Sequence, residues 1–597
     1  MQPAGSTDTT FADALGGRLS LTGRRWLWQE APALASQAIA RRLDVPELIG
    51  RLLAQRGVTP ETAADFLEPT LRAYLPDPAM LLDMDRAARR LADAVTRGET
   101  VGIFGDYDVD GACSAALMVV GLGALGVETI AHVPHRLREG YGPNAAALAA
   151  LAGRGASLIV CVDCGAAAHQ PLATIAGRAD VVILDHHKLD GAPPDVVATV
   201  DPNRIDDRSG LGGLCAAGLC FLTLIALQRE LRQRGFFAGR GQPDLLGLLD
   251  LVALATICDV MPLDDVNRAL VRQGLRVMAR RARPGISALL AVAEVKGEPT
   301  AATCGFVLGP RINAAGRIAE ADLGLRTLLA ADEASALPLA RSLDSINRQR
   351  QSIEAGLLDE ALALARQQFD AGEPFALLAG TDWHPGIVGI VAGRIKEMFN
   401  RPALVAGITD GIATGSGRSV PGIDLGAAVI AAREAGLLTR GGGHAMAAGF
   451  TLGADGLEPL RCFLGERLAA AAGLPQAADL PLAATLGVAA ANPALAGLIE
   501  RLGPFGTGNA EPIFLVHHAR VVKADRLGRE GATIRAIIEG EAGGRLKALR
   551  FRADDDALST ALLGAGGAPL DIAGHLRVDR WGNGESIMLH VLDAAPC

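Results

Sequence analysis

A chain of 597 residues is longer than one hydrophobic core usually organises, so several domains are expected. Half of its residues are apolar, 4% are aromatic and the formal net charge is −9. That composition fits an α/β protein and excludes both a disordered chain and a positive field over the whole surface. Any surface that binds phosphate must be local.

Residues 1–25 are rich in Gly, Ser and Thr and are expected to be mobile. From Trp26 to Thr96 apolar residues recur at helical spacing, as in Val45, Leu48, Ile49, Leu52 and Leu53, which predicts a helical lead-in. Strand-like runs then alternate with helical patterns: Val101–Phe104 and Ala115–Leu125, Leu158–Val162 and a helix, then Val181–Leu184. The rhythm is that of βαβ units in a parallel sheet, whose ligands bind at the carboxyl ends of the strands. A long helical stretch around Asp332–Arg366 precedes a second α/β segment from Phe375 to Leu468. Beyond Leu480, short runs at Ile513–Val516, Ala532–Ile538, Arg545–Phe551 and Ile587–Val591 read as strands of a small β-barrel.

Each of the three early strands runs into acidic or histidine residues. Val101–Phe104 leads into Gly105-Asp106-Tyr107-Asp108-Val109-Asp110-Gly111. Three carboxylates within five residues repel one another, so a cation is their natural partner. The run also matches the start of a calcium-binding EF-hand loop, but the twelfth position, which needs a bidentate Glu, is Leu117, and that reading fails. Asp163 ends the second strand, and Asp185-His186-His187 follows the third. Carboxylate and imidazole together suit Mn²⁺ or Mg²⁺ better than structural zinc. The nine cysteines read as thiols of a reducing compartment. Cys161 and Cys164 lack a second pair at ligand spacing, and Cys215 and Cys220 sit among apolar residues, so packing is the expected role. No basic-then-apolar leader and no bilayer-length apolar stretch is seen, so a cytoplasmic protein without membrane contact is expected.

The order Asp106-Tyr107-Asp108-Val109-Asp110-Gly111, Asp163, Asp185-His186-His187 resembles the first three motifs of the DHH/DHHA1 phosphoesterases, and Asp250-Leu251-Val252-Ala253-Leu254-Ala255-Thr256-Ile257-Cys258-Asp259 resembles the fourth. The likeness continues through Leu214–Gly218, Gly309–Arg317, Trp383–Gly389, Gly415–Ser419, Gly441–Ala445 and Leu502–Asn509. It covers residues from about 40 to the end. Phe104 departs from the pattern: some relatives have His there, so any ligand at that position is missing.

The resemblance implies residues 97–330 as a DHH catalytic domain with a parallel sheet, 331–370 as a connecting helix, 371–475 as a smaller α/β DHHA1 domain and 480–597 as an OB-fold barrel, after an N-terminal segment at 1–96. It implies a single-stranded-DNA exonuclease of DNA repair and recombination, working 5′ to 3′ by two-metal catalysis. Asp108, Asp110, Asp163, His186, His187 and Asp259 are its expected catalytic residues and metal ligands. Asp163 would bridge two ions, Asp108 and His187 would serve one, and Asp110, His186 and Asp259 the other. Asp106 would fix the loop or bind through water, and Asp185 would orient the histidines.

Substrate contacts are expected from Arg136, Tyr141, Arg311, Asn313, Arg317, Ser416, Arg418, Gly443 and His444. A lone Arg is more often a solvated surface residue, but these recur in Gly-flanked motifs where backbone N–H groups can approach phosphate. Arg136, Arg311, Ser416, Arg418 and His444 would hold a terminal 5′-phosphate, with Tyr141 stacked on a base. By resemblance a single-stranded-DNA-binding protein and a RecQ-type helicase are partners, and the chain is a monomer. Two rival readings are a DHH phosphodiesterase of short oligonucleotides or nucleotides, which needs no β-rich tail, and a scaffold protein without activity, which needs no complete acidic set.

Overall fold

The computed structural model describes residues 12–136, 138–189, 191–473, 477–528, 531–564, 566–579 and 586–597. Two short strands, β1 (Ala12–Asp13) and β2 (Arg25–Trp28), open it. Part of the expected mobile segment is therefore ordered, and Trp26 begins no helix: it is a fully buried strand residue. The two tryptophans in Arg25-Trp26-Leu27-Trp28 favour a strand, which a helical reading overlooks. Helices α1 (Ala33–Leu43), α2 (Glu47–Ala54) and α3 (Met84–Arg97) follow.

The first large sheet is built from β3 (Thr100–Gly105), β4 (Thr129–His132), β5 (Ala156–Val162), β6 (Asp180–Leu184) and β7 (Ala198–Val200), in the order β4-β3-β5-β6-β7. All neighbours are parallel. Continuous apolar runs such as Leu158-Ile159-Val160-Cys161-Val162 suit strands covered on both faces, and all five of these residues are buried. Helices α4 (Val109–Gly123) and α6 (Ala216–Gln233) pack against one another. Helix α5 (Ala145–Gly153) supplies Leu148 and Leu151 to the core over Phe104, Ile159 and Ile183. The chain leaves β3 toward β4 on one side and returns to β5 on the other, so the strand ends of β3 and β5 flank a topological switch point, where such sheets bind ligands. Helices α7 (Leu249–Cys258), α8 (Asp265–Ala279) and α9 (Gly309–Ile318) complete this part. A π-helical turn at Cys304–Leu308 leads directly into α9.

The long helix α10 (Glu333–Asp370) runs into a second compact unit. There β8 (Ala376–Thr381), α11 (Pro385–Phe399), β9 (Ala403–Thr409), β10 (Ile412–Arg418), α12 (Leu425–Glu434), β11 (Arg440–His444), β12 (Ala447–Gly453) and α13 (Leu457–Arg467) follow in order. The sheet order is β11-β12-β10-β9-β8. Its core lies beneath α12 and α13, around Phe375, Leu404, Leu425, Phe450 and Leu460. Strand β13 (Asp479–Leu482) pairs with β2, where Arg25 and Asp479 form an ion pair at 2.6 Å.

The tail belongs to the same compact unit as the parallel sheet. It holds β14 (Ala484–Thr485), β15 (Phe514–Leu527), β16 (Thr533–Glu539), β17 (Arg545–Phe551), β18 (Leu570–Asp579) and β19 (Ser586–Pro596). Pairing runs β15-β16-β17-β19-β18 and returns from β18 to β15, a circuit of five strands, as an OB-fold requires. The loop Leu502–Asn509 packs on α8 and the turn before it. The Leu263 amide donates to the Thr507 carbonyl at 2.8 Å. Arg268, buried and stacked 3.8 Å over the Phe66 ring, donates to the carbonyls of Phe66 and Gly503.

Candidate metal centre

Three strand ends carry the site. Beyond β3, Asp108 caps α4 by accepting the Gly111 amide at 3.0 Å. Asp110 is buried in the first turn of that helix. Its two oxygens accept the amides of Ala216 and Ala217 at 2.7 and 2.9 Å, from the first turn of α6. An anion at a helix N-terminus is well placed, and this gives the Leu214–Gly218 motif its role. The Asp163 and Asp185 amides extend the sheet pairing by one residue, to the carbonyls of Leu184 and Val200, which aligns the strand ends. Asp163 is itself left-handed, with φ of 61°.

Around His186 three carboxylates converge. Its Nε2 lies 3.3 Å from Asp163, 3.4 Å from Asp259 and 3.7 Å from Asp110. Possible ligand atoms fall into three sets, each within 4.8 Å: Asp106, Asp108 and Asp163; Asp110, His186 and Asp259; Asp163, His186 and His187. Asp185 accepts the amides of Ala166, His186 and His187, and His187 Nδ1 lies 2.8 Å from it. It thus sits behind the histidines and sets their orientation. The Asn203 amide group donates to the His186 carbonyl at 2.6 Å.

Burial, with added repulsion from neighbouring carboxylates, pushes Asp106 and Asp163 well above the usual carboxylate range. Burial raises Asp110 as well, and together with Asp110 and Asp108 it raises Asp259 to about 8. Burial disfavours a charged His187, but its bond to Asp185 outweighs that and raises it to about 9. Buried His186 is lowered. Asp106 Oδ1, Asp163 Oδ1 and His186 Nε2 are buried without a hydrogen-bond partner. Buried polar atoms are normally paired, and clustered carboxylates that cannot all ionise alone are what a divalent cation resolves. The donor set fits such ions.

The other predicted residues lie at varied places. The Tyr141 hydroxyl donates to the Asp163 carbonyl at 3.2 Å and lies 3.1 Å from His187 Nδ1. Arg136 stands 5.1 Å from the centre of the Tyr107 ring. Arg311, Asn313 and Arg317, in the Gly-flanked motif Gly309–Arg317, are on helix α9. Pro310 is compatible with a helix because it falls in the first turn. Gly316 is needed there: a Cβ would stand 2.7 Å from the Tyr107 carbonyl oxygen. Arg311 is engaged by Asp344 at 3.0 Å and by the Val307 carbonyl. Phe104 is buried in the core. Asp250 pairs with Arg283 at 2.8 Å, a structural ion pair.

In the second unit, Ser416 and Arg418 lie on strand β10, not in a loop. Two residues apart on a strand, they share a face. Gly389 of α11 lies over both, and a Cβ there would be 3.3 Å from each side chain. Arg418 pairs with Ala447, which pairs with His444, and Ser416 pairs with Gly449, which pairs with Gly442. The row places Arg418 and His444 on one face with small residues between, and Gly443 precedes His444 on β11. His384 caps α11 by accepting the Gly386 amide.

Sequence reasoning missed the Ala216 and Ala217 amides and Asn203. Backbone donors leave no trace in residue type, but Asp201-Pro202-Asn203 carried a turn signal.

A parallel sheet with an acidic and histidine cluster at its strand ends, followed by a second α/β unit, defines a DHH phosphoesterase. Family models agree: the DHH family N-terminal domain matches residues 100–256, the DHHA1 domain 372–480 and the RecJ OB domain 482–593. The single-stranded-DNA-specific exonuclease RecJ of Dickeya dadantii is 39% identical over 79% of this chain and 83% of its own length, and that of Bacillus subtilis 34% identical over 96% and 71%. The crystal structure of RecJ in complex with Mn²⁺ from Thermus thermophilus superposes with a TM-score of 0.77 at 29% identity, covering 95% of this chain and 79% of that one. The chain belongs to the RecJ family of single-stranded-DNA-specific exonucleases.

Proposed function

We propose that this chain degrades single-stranded DNA from its 5′ end as a metal-dependent exonuclease, with Mn²⁺ or Mg²⁺ as its cofactor. What carries this reading is the set of three buried, unpartnered ligand atoms at the switch point of the sheet. Asp106, Asp108 and Asp163 would hold one cation, and Asp110, His186 and Asp259 a second. Asp106 thereby takes a direct place, and Asp163 and His186 link both sets to His187. Such ions lower the pKa of a bound water and neutralise charge gathering at phosphorus.

The protein's own residues prepare the site. The Ala216 and Ala217 amides hold Asp110, Asp185 holds the His187 ring, and Tyr141 ties its hydroxyl to the Asp163 backbone. Arg418, Ser416 and His444 recognise the terminal phosphate, which carries more charge and one more free oxygen than an internal linkage. The five-stranded barrel favours long single strands over short oligonucleotides as substrate. The complete acidic set argues against an inactive scaffold. Among the described residues no helix is long and apolar enough to cross a membrane. A cytoplasmic monomer, partnered by a single-stranded-DNA-binding protein and a RecQ-type helicase, is a further part of this reading, tested by co-purification.

The experiment is digestion of single strands labelled at either end, and of duplex, with Mn²⁺, Mg²⁺ or chelator. Early release of the 5′ label from single strands alone, abolished by chelator, is expected. Release of the 3′ label first would overturn the polarity.

A further inference from the structure

A second cluster of metal-ligating side chains lies on the barrel, on different strands and with different chemistry. Strand β15 is bulged: Val516 pairs with Ile572 and Ala519 with Leu570, so His517 and His518 together oppose Asp571 alone. A bulge of this kind re-aims side chains that would otherwise alternate between faces. His518 is left-handed, with φ of 48°, a conformation that costs a non-glycine residue free energy and is worth explaining. Across the barrel seam, Asp571 pairs with Ala595 of β19, and Cys597 follows two residues later.

The Asp571 carboxylate collects these groups at one atom. Its Oδ1 receives the His518 amide at 3.0 Å, faces His517 Nδ1 at 3.2 Å and has Cys597 Sγ at 3.6 Å. A ligand atom from each of His518, Asp571 and Cys597 lies within 4.8 Å of the others. A tetrahedral ion with bonds of 2.0–2.3 Å sets its ligand atoms about 3.2–3.8 Å apart, a modest contraction of what is present. Cys597 is in no disulfide and is exposed, and Asp571 is buried.

We infer that His518, Asp571 and Cys597 form a peripheral site for a divalent cation of borderline softness, Zn²⁺ being the natural occupant. Solvent or His517 takes the fourth position. Thiolate and imidazole favour zinc, whereas the oxygen-rich strand-end cluster favours Mn²⁺ or Mg²⁺, so the two sites select different ions. The ion would tie β15, β18 and the end of β19 at the seam where the barrel closes.

Cobalt reports on this directly, because a cysteine ligand gives Co²⁺ a thiolate charge-transfer band in the near ultraviolet that oxygen and imidazole ligands cannot give. The full chain is stripped of metal, saturated with Mn²⁺ and titrated with Co²⁺. One equivalent should develop the band, and one equivalent of Zn²⁺ should bleach it. Cys597→Ser should remove the band while leaving exonuclease activity unchanged, and His518→Ala should weaken Co²⁺ at least about tenfold. Asp163→Asn should keep the band. No band in the wild type means that Asp571 is only a hydrogen-bond hub, and a band that survives Cys597→Ser assigns it to another thiol. Either result overturns the site.

Discussion

On the proposed reading, the strand-end cluster of the first unit serves cleavage and the β10–β11 face of the second serves recognition, by opposite means. The first is buried and acidic, holds polar atoms with no partner, and is locked by backbone amides and by Asp185. The second carries Ser416, Arg418 and His444 on a strand face bordered by glycine and alanine. The difference teaches that cleavage and recognition make conflicting electrostatic demands. Cations belong where carboxylates are crowded and water is scarce, while a phosphate needs fixed positive charge and bare backbone. Separating them lets each be built without neutralising the other.

The comparison breaks most sharply at Asp163. Asp163→Asn should lower kcat about 100–1000-fold, on the scale of losing one preorganised electrostatic contact. The melting temperature of the metal-free chain should not fall, because a repelled carboxylate is removed. Single-turnover rates and calorimetry check both, and kcat within tenfold of wild type would dismantle the assignment of Asp163 as a metal ligand. Arg418→Ala should act on recognition alone. Losing a charge-assisted hydrogen bond costs about 1.5–3 kcal/mol, seen as a higher KM for 5′-phosphorylated strands and none for 5′-hydroxyl strands. A fall in kcat with both substrates would merge the two regions into one function. Asp185→Asn should leave substrate KM alone and weaken Mn²⁺ binding by about 10–100-fold, as loss of a ligand-orienting partner does, measurable by titration calorimetry.

The smallest effect is one of pH. Asp259 at about 8, and Asp106 and Asp163 well above the usual range, keep more protons in the folded state than in the unfolded one. Their stabilisation is complete below the unfolded carboxylate pKa and is lost as pH rises through the folded values. His187, raised to about 9, acts in the same direction at higher pH. The metal-free chain should therefore melt at lower temperature at pH 8.5 than at pH 5.5, and Mn²⁺ should flatten the difference. A metal-free melting temperature independent of pH would mean that the carboxylates are not crowded as described.

Much of the first region was legible because continuous apolar runs ending in acids are a strong pattern. Thr100–Gly105, Ala156–Val162 and Asp180–Leu184 lie within two residues of their predicted ends. Thr129–His132 and Ala198–Val200 escaped notice, being short and lacking a run. The second region was read less well. Glycines in Gly415-Ser416-Gly417-Arg418 suggest a loop, yet they form a strand because neighbouring side chains need the space: Phe450 lies beneath Gly415 and Leu425 beneath Gly417. The closure of the barrel depends on Leu570–Asp579, a strand with His575 and Arg577 in it that alternation alone did not reveal.

The contact of Arg268 with Gly503 spans 235 residues of chain, and Thr507 holds the turn four residues past Asp259. At about 5–20 residues per second of synthesis, the segment carrying Asp259 waits roughly 10–50 s for the loop that braces it. A ribosome-bound chain thus has its acidic residues long before the turn past Asp259, which ends helix α7, is held in place, so newly made nuclease is born unbraced.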